Sequence, residues 1–297
     1  MLSEQKMKNL IDKKARETDL PKQQLYGLYA LEQLLVKLND SSYKDKLILK
    51  GGYLLATVYG LNNRVTRDLD ITVRDTYLTE EMLINIADFV STTDKNGEVH
   101  FELRGIRKTR EEFDYNGYEL KLLYKNGRTK FPISVDFTTG ENLISIEEEN
   151  SLPLMFEEEK KLNFPSYTIE QILTDKFYTI IAYGKYDDTN SRMKDYYDIY
   201  LLSTIGKNID YYAINNGLSR IMKQRDEFID NNEFENIISS LGKAKYQRSL
   251  WEKYKEVTPF ARDLAFEDVI NKLMVVSRDI ISAKNINRHD TKLNKDK

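Results

Sequence analysis

The chain has no cysteine and only two histidines, His100 and His289, among its 297 residues. The first absence excludes disulfides, Cys-ligated zinc, iron–sulfur clusters and a thiol nucleophile. The second leaves no room for a multi-histidine metal centre. Any metal must be held by carboxylates, which select a hard cation such as Mg²⁺. No apolar run approaches the roughly 20 residues that span a bilayer. The segment Met1-Leu2-Ser3-Glu4-Gln5-Lys6 lacks the basic-then-apolar shape of a signal peptide. The expectation is a cytoplasmic protein with no membrane partner.

A large charge of one sign is also lacking. The 45 Lys+Arg oppose 48 Asp+Glu, for a net charge of −3, so no global basic field advertises nucleic acid. A hydrophobic content of 40% supports packed cores, and with 31% charged residues it argues against wholesale disorder. The length fits about two domains of roughly 100–200 residues each.

The charge is unevenly placed. Residues 104–130 carry eight Lys/Arg against four acids, residues 243–255 five basic residues against Glu252, and residues 272–297 seven against three. Residues 141–161 reverse the bias, with seven Glu and two Lys. Charge runs are commonly solvated faces. Three separated basic stretches are also compatible with a bound polyanion such as RNA.

The patterning begins helical. Leu28, Leu31, Leu35 and Leu38 recur at helical spacing, with Asp19 and Pro21 marking a start. Leu47–Lys50 reads as a short strand stopped by Gly51-Gly52. Tyr53–Tyr59 reads as a short apolar helix ended by Gly60. Asp68 to Val73 alternates strictly, which predicts a strand with one polar face. An amphipathic helix follows from an N-cap at Thr79 to Val90. Strands are expected at Val99–Arg107, Tyr118–Tyr124 and Phe131–Phe137, the last two joined by the Asn126-Gly127 turn. Beyond the Glu-rich stretch the pattern turns helical. Thr168 and Gln171 form a capping-box signature, and helices are expected to about Gly184 and over Lys194–Ser203. A soft boundary near 140–165 divides residues 1–150, mixed α/β after N-terminal helices, from a helical 151–297.

Certain side chains carry chemistry. Asp68 and Asp70, two apart on a strand, leave on one face about 6.5–7 Å apart. That spacing suits two carboxylates sharing divalent cations; the plain alternative is a solvated acidic edge. Gly51-Gly52, between a strand and a helix, exposes N–H groups that suit a triphosphate, or it is simply a tight turn. Asp136 lies on the polar face of a later strand, where a third carboxylate can join the pair. Three carboxylates and two Mg²⁺ ions would clamp an in-line phosphoryl displacement. Lys176 projects from an apolar face beside Ile172 and Ile180, so it either snorkels or aims its ammonium into a cleft. Asp195 and Asp198 share a face of the following helix. They and Lys176 serve either one site or a structural salt bridge.

The ordered set Lys50-Gly51-Gly52, Tyr59-Gly60, Arg64-Val65-Thr66-Arg67-Asp68-Leu69-Asp70, Asp136, Lys176 and Arg192-Met193-Lys194-Asp195-Tyr196-Tyr197-Asp198 resembles the AbiEii/AbiGii toxin family. That family belongs to the polymerase β-like nucleotidyltransferases. The resemblance runs from about residue 20 to about 205. It implies an α+β fold: a mixed sheet flanked by helices as nucleotidyltransferase core, then a mainly helical C-terminal domain contributing Lys176 and Asp195 to the active site. It implies Mg²⁺-dependent (or Mn²⁺-dependent) transfer of a nucleoside monophosphate from an NTP to an RNA 3′ end, with tRNA as acceptor, and a cognate antitoxin as partner. Abortive infection is the wider role. By resemblance Asp68, Asp70 and Asp136 are the metal ligands, and Asp136 is also a candidate base. Lys176 meets phosphate, and Asp195 is favoured over Asp198 as the essential acid. Gly51, Gly52, Arg64, Thr66 and Lys176 are expected at the NTP phosphates. Arg67 also flanks the acidic strand. Tyr53 stands where a small residue is common, and a ring so near the phosphate turn can narrow the pocket or stack on a base. A protein or small-molecule hydroxyl as acceptor stays open, as does a catalytically silent binding protein.

Overall fold

The computed structural model describes residues 2–18, 20–60, 66–93, 100–109, 117–157, 159–186 and 191–293. Asp19, Arg64 and Val99 lie outside them. Two compact units form. The first comprises Met1–Glu141 and Ile146–Tyr167, the second Asn142–Ser145 and Thr168–Lys297. Among the described residues, no helix is long and apolar enough to cross a membrane.

The first unit runs α1 (Glu4–Thr18), α2 (Lys22–Asn39), β1 (Leu47–Lys50), α3 (Gly51–Tyr59), β2 (Leu69–Val73), α4 (Glu80–Val90), β3 (Phe101–Thr109), β4 (Gly117–Asn126), β5 (Thr129–Thr138), β6 (Ile146–Pro153) and β7 (Lys161–Tyr167). The strands make one mixed sheet in the order β3-β4-β5-β2-β1-β7-β6. β1 and β2 are antiparallel, while β2–β5 and β1–β7 are parallel. The alternation of β5 sorts its faces as expected: Ile133, Val135 and Phe137 are buried. Phe131, on the same side, packs its ring against Gly27 of α2. The apolar spacing of α2 buries Leu28, Leu31, Leu35 and Leu38. Thr79 caps α4 by accepting from the Met82 N–H.

The sheet unit extends beyond residue 150, because the Glu-rich stretch is a strand. β6 is an edge strand, where charged side chains are well tolerated, and so it lacks the apolar alternation that announces an internal strand. Glu148 is held by a bidentate pair with Arg74, at 2.7 and 2.5 Å. Arg74 follows the end of β2, so the pair ties the edge to the middle of the unit.

One buried acid links helix to turn. Glu32 of α2 is fully buried, and its Oε2 accepts from the N–H groups of Met155, at 2.5 Å, and Phe156, at 3.3 Å. Burial pushes this carboxyl up to about 8; the two backbone donors oppose the shift.

The second unit is helical: α5 (Ile169–Tyr186), α6 (Met193–Ile205), α7 (Tyr211–Gln224), α8 (Phe234–Lys243), α9 (Lys245–Val257) and α10 (Phe266–Leu293). Thr168 caps α5 by accepting from the Gln171 N–H at 3.2 Å. The Gln171 carboxamide turns to residues 142–144, accepting from Ile144 N at 2.7 Å and donating to Asn142 O at 3.3 Å. The architecture as a whole is α+β, a mixed sheet with helices followed by a helical region.

Candidate active site

The acidic residues of the first unit come together through strand register. Asp70 of β2 pairs with Asp136 of β5 in parallel register, and Lys50 of β1 pairs with Asp70 in antiparallel register. Register partners project from the same face, so Lys50, Asp70 and Asp136 form one row across three adjacent strands. Neighbouring strands lie about 4.8 Å apart, so two carboxylates share a patch that one cation can bridge. Glu119 of β4 continues the row beside Asp136.

Gly51 closes the other side. It is the first residue of α3 and has a left-handed φ of 70°. A Cβ there would stand 2.6 Å from Asp70 Cγ and 2.9 Å from Asp70 Cβ. Glycine is required twice, by conformation and by space. The glycines do not precede the helix, as their reading as a separator predicts; they form its first turn. Lys50 at the N-cap makes no side-chain cap. Lysine has no acceptor to offer there, and the start of α3 lies against the Asp70 side chain.

Asp68 lies one residue before β2, and its Oδ1 accepts from the Thr66 hydroxyl at 2.6 Å. Thr66, expected at the phosphates, is buried and holds a carboxylate. Among the described residues, no group of three or more His, Cys, Asp or Glu stands ready to hold a metal ion. The donor set nevertheless fits Mg²⁺. That ion takes one or two carboxylates and completes its shell with water and substrate phosphate, without an all-protein cage. Asp70 and Asp136 supply that number.

Sequence reasoning assigned no role to the polar side chains around Lys50. Its Nζ donates to Thr138 Oγ1 at 2.6 Å and to Glu141 Oε1 at 2.7 Å, and lies 5.7 Å from the centre of the Tyr167 ring. Thr72 Oγ1 lies 3.1 Å from Tyr167 Oη and 3.5 Å from Thr138 Oγ1. The available signal was a lysine ending an otherwise apolar strand.

Lys176, Asp195 and Asp198 belong to the second unit. Lys176 Nζ contacts Asp195 Oδ1 at 2.6 Å and Asp198 Oδ2 at 2.9 Å, and Arg192 Nε reaches Asp195 Oδ2 at 2.6 Å. Both aspartates are fully buried. Burial would raise the Asp195 carboxyl, but Lys176 and Arg192 outweigh it and hold it below the usual carboxylate range. Burial would lower the Lys176 ammonium, but Asp198 and Asp195 outweigh that and hold it above the ordinary lysine value. These contacts make the salt bridge between α5 and α6 that the apolar-face lysine left open.

Tyr53 is a core residue and does not line an open pocket. It is 1% exposed, on the core side of α3. Helical geometry turns residue 53 inward while Gly51 faces Asp70. The described parts of the basic stretches are partly neutralised. Arg107 binds Glu119 at 2.8 Å, Arg104 and Lys125 bind Glu102, Arg248 binds Glu267, and Arg278 binds Glu235.

Residues 33–272 match the family model described as nucleotidyl transferase AbiEii toxin, type IV TA system. No curated protein matches the sequence. Among solved structures the chain is similar to JHP933 from Helicobacter pylori, at 14% identity and a TM-score of 0.51, with 93% of this chain and 98% of that one covered. It is also similar to a "putative nucleotidyltransferase" from H. pylori, at 14% identity and a TM-score of 0.51, with 90% and 99% covered. At this identity the two structures support the fold alone. The family match passes residue 205, where the resemblance by motif stops, and takes in much of the helical unit.

Proposed function

We propose that this chain, which belongs to the AbiEii nucleotidyl transferase toxin family of type IV toxin–antitoxin systems, transfers a nucleoside monophosphate from an NTP to the 3′ end of an RNA, with tRNA as the acceptor. The observation that carries the reading is the Asp70–Asp136 register pair set against the Gly51 start of α3.

In this reading Asp70 and Asp136 would hold a divalent cation, and Asp68, which accepts from Thr66, is assigned to it by resemblance. When bound, that cation offsets phosphate charge and orients the α-phosphate for in-line attack. The Gly51 and Gly52 N–H groups receive triphosphate oxygens. Asp136 takes the proton from the acceptor 3′-hydroxyl. The 3′-oxygen bonds the α-phosphorus as the bond to the bridging oxygen of the β-phosphate breaks, and pyrophosphate leaves. Lys176, which the resemblance assigns to phosphate, has its ammonium on carboxylates of its own helical unit. Asp195 and Asp198 hold its ammonium, with Asp195 also fixing Arg192. A cognate antitoxin restrains the enzyme.

A second acceptor class has one observation in its favour. Arg107, Lys125, Arg248 and Arg278 are occupied by glutamates, which a protein or small-molecule hydroxyl would not need displaced.

The test is a transfer assay with each α-labelled NTP in turn, Mg²⁺ and bulk tRNA, beside Asp70→Ala. Label in RNA from one preferred NTP, absent with the variant, supports the proposal. Label in protein with RNA untouched moves the assignment to the second acceptor class. No label in any acceptor counts against transfer.

A further inference from the structure

The sheet order places β2 between β1 and β5. Lys50 ends β1, while Thr138 ends β5, two strands away. Yet Lys50 Nζ donates to Thr138 Oγ1 at 2.6 Å. Two strand spacings are about 9.6 Å, so the lysine stem must cross over β2 to make this bond. It crosses on the face of its register partner Asp70, between the row of Asp70 and Asp136 and the row of Thr72 and Thr138. Thr72 and Thr138 are buried, and the Lys50 side chain is 14% exposed. Placing an ammonium in the middle of a sheet is unfavourable without charged and hydrogen-bonded partners. Glu141 and Thr138 supply them.

We infer that Lys50 is a positioning residue for the carboxylate pair. Its ammonium staples β1 to β5 across β2 and thereby holds Asp136 beside Asp70. The inference rests on the nucleotidyltransferase reading, since it assigns Lys50 a purpose in that site. Three features make the staple specific to this point of the sheet. Thr138 is two residues beyond Asp136 on the same face of the same strand, so the bond fixes the strand end that carries the acid. Glu141 fixes the ammonium from the segment just after β5, at 2.7 Å. Thr72, two residues beyond Asp70, joins the same lane through Thr138 and the Tyr167 hydroxyl. Lys50 does not itself meet the reacting atoms. It acts through the strands that bear Asp70 and Asp136, as outer partners orient ligating side chains.

The experiment uses the full chain with Lys50→Met, Thr138→Val, Thr138→Ser and the double variant Lys50→Met/Thr138→Val. Two quantities are read: kcat and KM for the preferred NTP, and Mn²⁺ binding without nucleotide, from the electron paramagnetic resonance signal of free Mn²⁺. Lys50→Met and Thr138→Val are expected to lower kcat and weaken Mn²⁺ binding by about tenfold to a hundredfold, the usual effect of losing an outer-shell partner. KM for the NTP should stay within about twofold. Thr138→Ser, which keeps the hydroxyl, should recover what Thr138→Val loses. The double variant should be no worse than Lys50→Met, because both break one staple. Thr138→Val is nearly isosteric, so it is readable even where Lys50→Met does not fold.

A rise in KM with kcat intact would overturn the inference and make Lys50 a nucleotide contact. A fall in thermal stability alone, with kcat and Mn²⁺ binding unchanged, would also overturn it, leaving an ordinary salt bridge. A wild type that binds Mn²⁺ but transfers nothing would remove the proposed function. The staple would then stand or fall on Mn²⁺ binding.

Discussion

Gly51 and Asp70 fit together only because residue 51 has no side chain. A Cβ there would stand 2.6 Å from Asp70 Cγ, and the backbone at 51 already has a φ of 70°. The relationship fixes the carboxylate against the start of α3. It predicts that Gly51→Ala pushes Asp70 out of its row and strains the turn. The expected cost is about 1–3 kcal/mol of stability from the backbone alone, measured by urea unfolding, with loss of transfer activity beyond what that destabilisation explains. Wild-type activity in Gly51→Ala would refute the fit.

The Lys176 cluster makes a graded prediction. Removing one partner of a buried ion pair leaves an uncompensated charge and costs about 3–5 kcal/mol. Lys176→Met removes the cation shared by two buried aspartates and should be the most damaging change. Asp195→Asn should cost more than Asp198→Asn, since Asp195 binds Arg192 as well as Lys176. Urea unfolding of the three variants at pH 7 gives the order, and equal costs for the two aspartates would refute it.

The same cluster predicts a pH window. The Asp195 pKa is lowered on folding, so its stabilisation is present above the unfolded value of about 3.9 and is lost as pH falls through the lower folded value. The Lys176 pKa is raised, so its stabilisation is present below about 10.4 and is lost as pH rises through a higher folded value. The cluster's contribution should be flat between these limits. Comparing wild type with Lys176→Met across pH shows whether the difference is constant near neutrality.

Glu32 acts in the opposite sense. Its folded value of about 8 lies above the unfolded one. Folding therefore retains a proton that the unfolded chain releases, and stability falls as pH rises from about 4.3 to about 8. Glu32→Gln should flatten that fall, by up to a few kcal/mol, in unfolding curves taken at pH 5 and pH 8. An unchanged slope would show that Glu32 does not hold a proton there.

RNA binding should depend on exposed lysines of the basic stretch at residues 104–130, of which Lys121 also lies 3.5 Å from Glu119. Lys121 and Lys130 are exposed on β4 and β5. Charge reversal at either should weaken RNA binding uniformly across sequences and reduce the slope of log affinity against log salt by about one. Metal binding should not change. Untouched affinity would make this stretch ordinary surface.

Much of the first unit was legible because its elements obey local rules. The leucine spacing of α2, the Thr79 cap, the Asn-Gly turn and the alternation of β5 each follow from one segment's own chemistry. β6 and β7 were not legible. β6 is a charged edge, and β7 contains Pro165, a poor strand signal; both form because neighbours supply hydrogen bonds. The Asp70–Asp136 association was expected from polar faces on two strands, and the register supports it. The inward Tyr53 and the Thr66–Asp68 bond could not be read from spacing, because each depends on which way a loop or short helix turns.

By itself the sequence determined the donor chemistry. Without cysteine and with two histidines, the strong side-chain ligands left are carboxylates, which suit a hard cation; the need for glycine at position 51 was set by the fold, through its φ of 70° and the nearness of Asp70. Which carboxylates stand together was decided by strand order. β2 lies between β1 and β5, and that arrangement makes neighbours of residues 50, 70 and 136, which are far apart along the chain. The reason is physical. A side chain's identity is local, but the distance between two charges depends on the backbone hydrogen bonds that pair their strands.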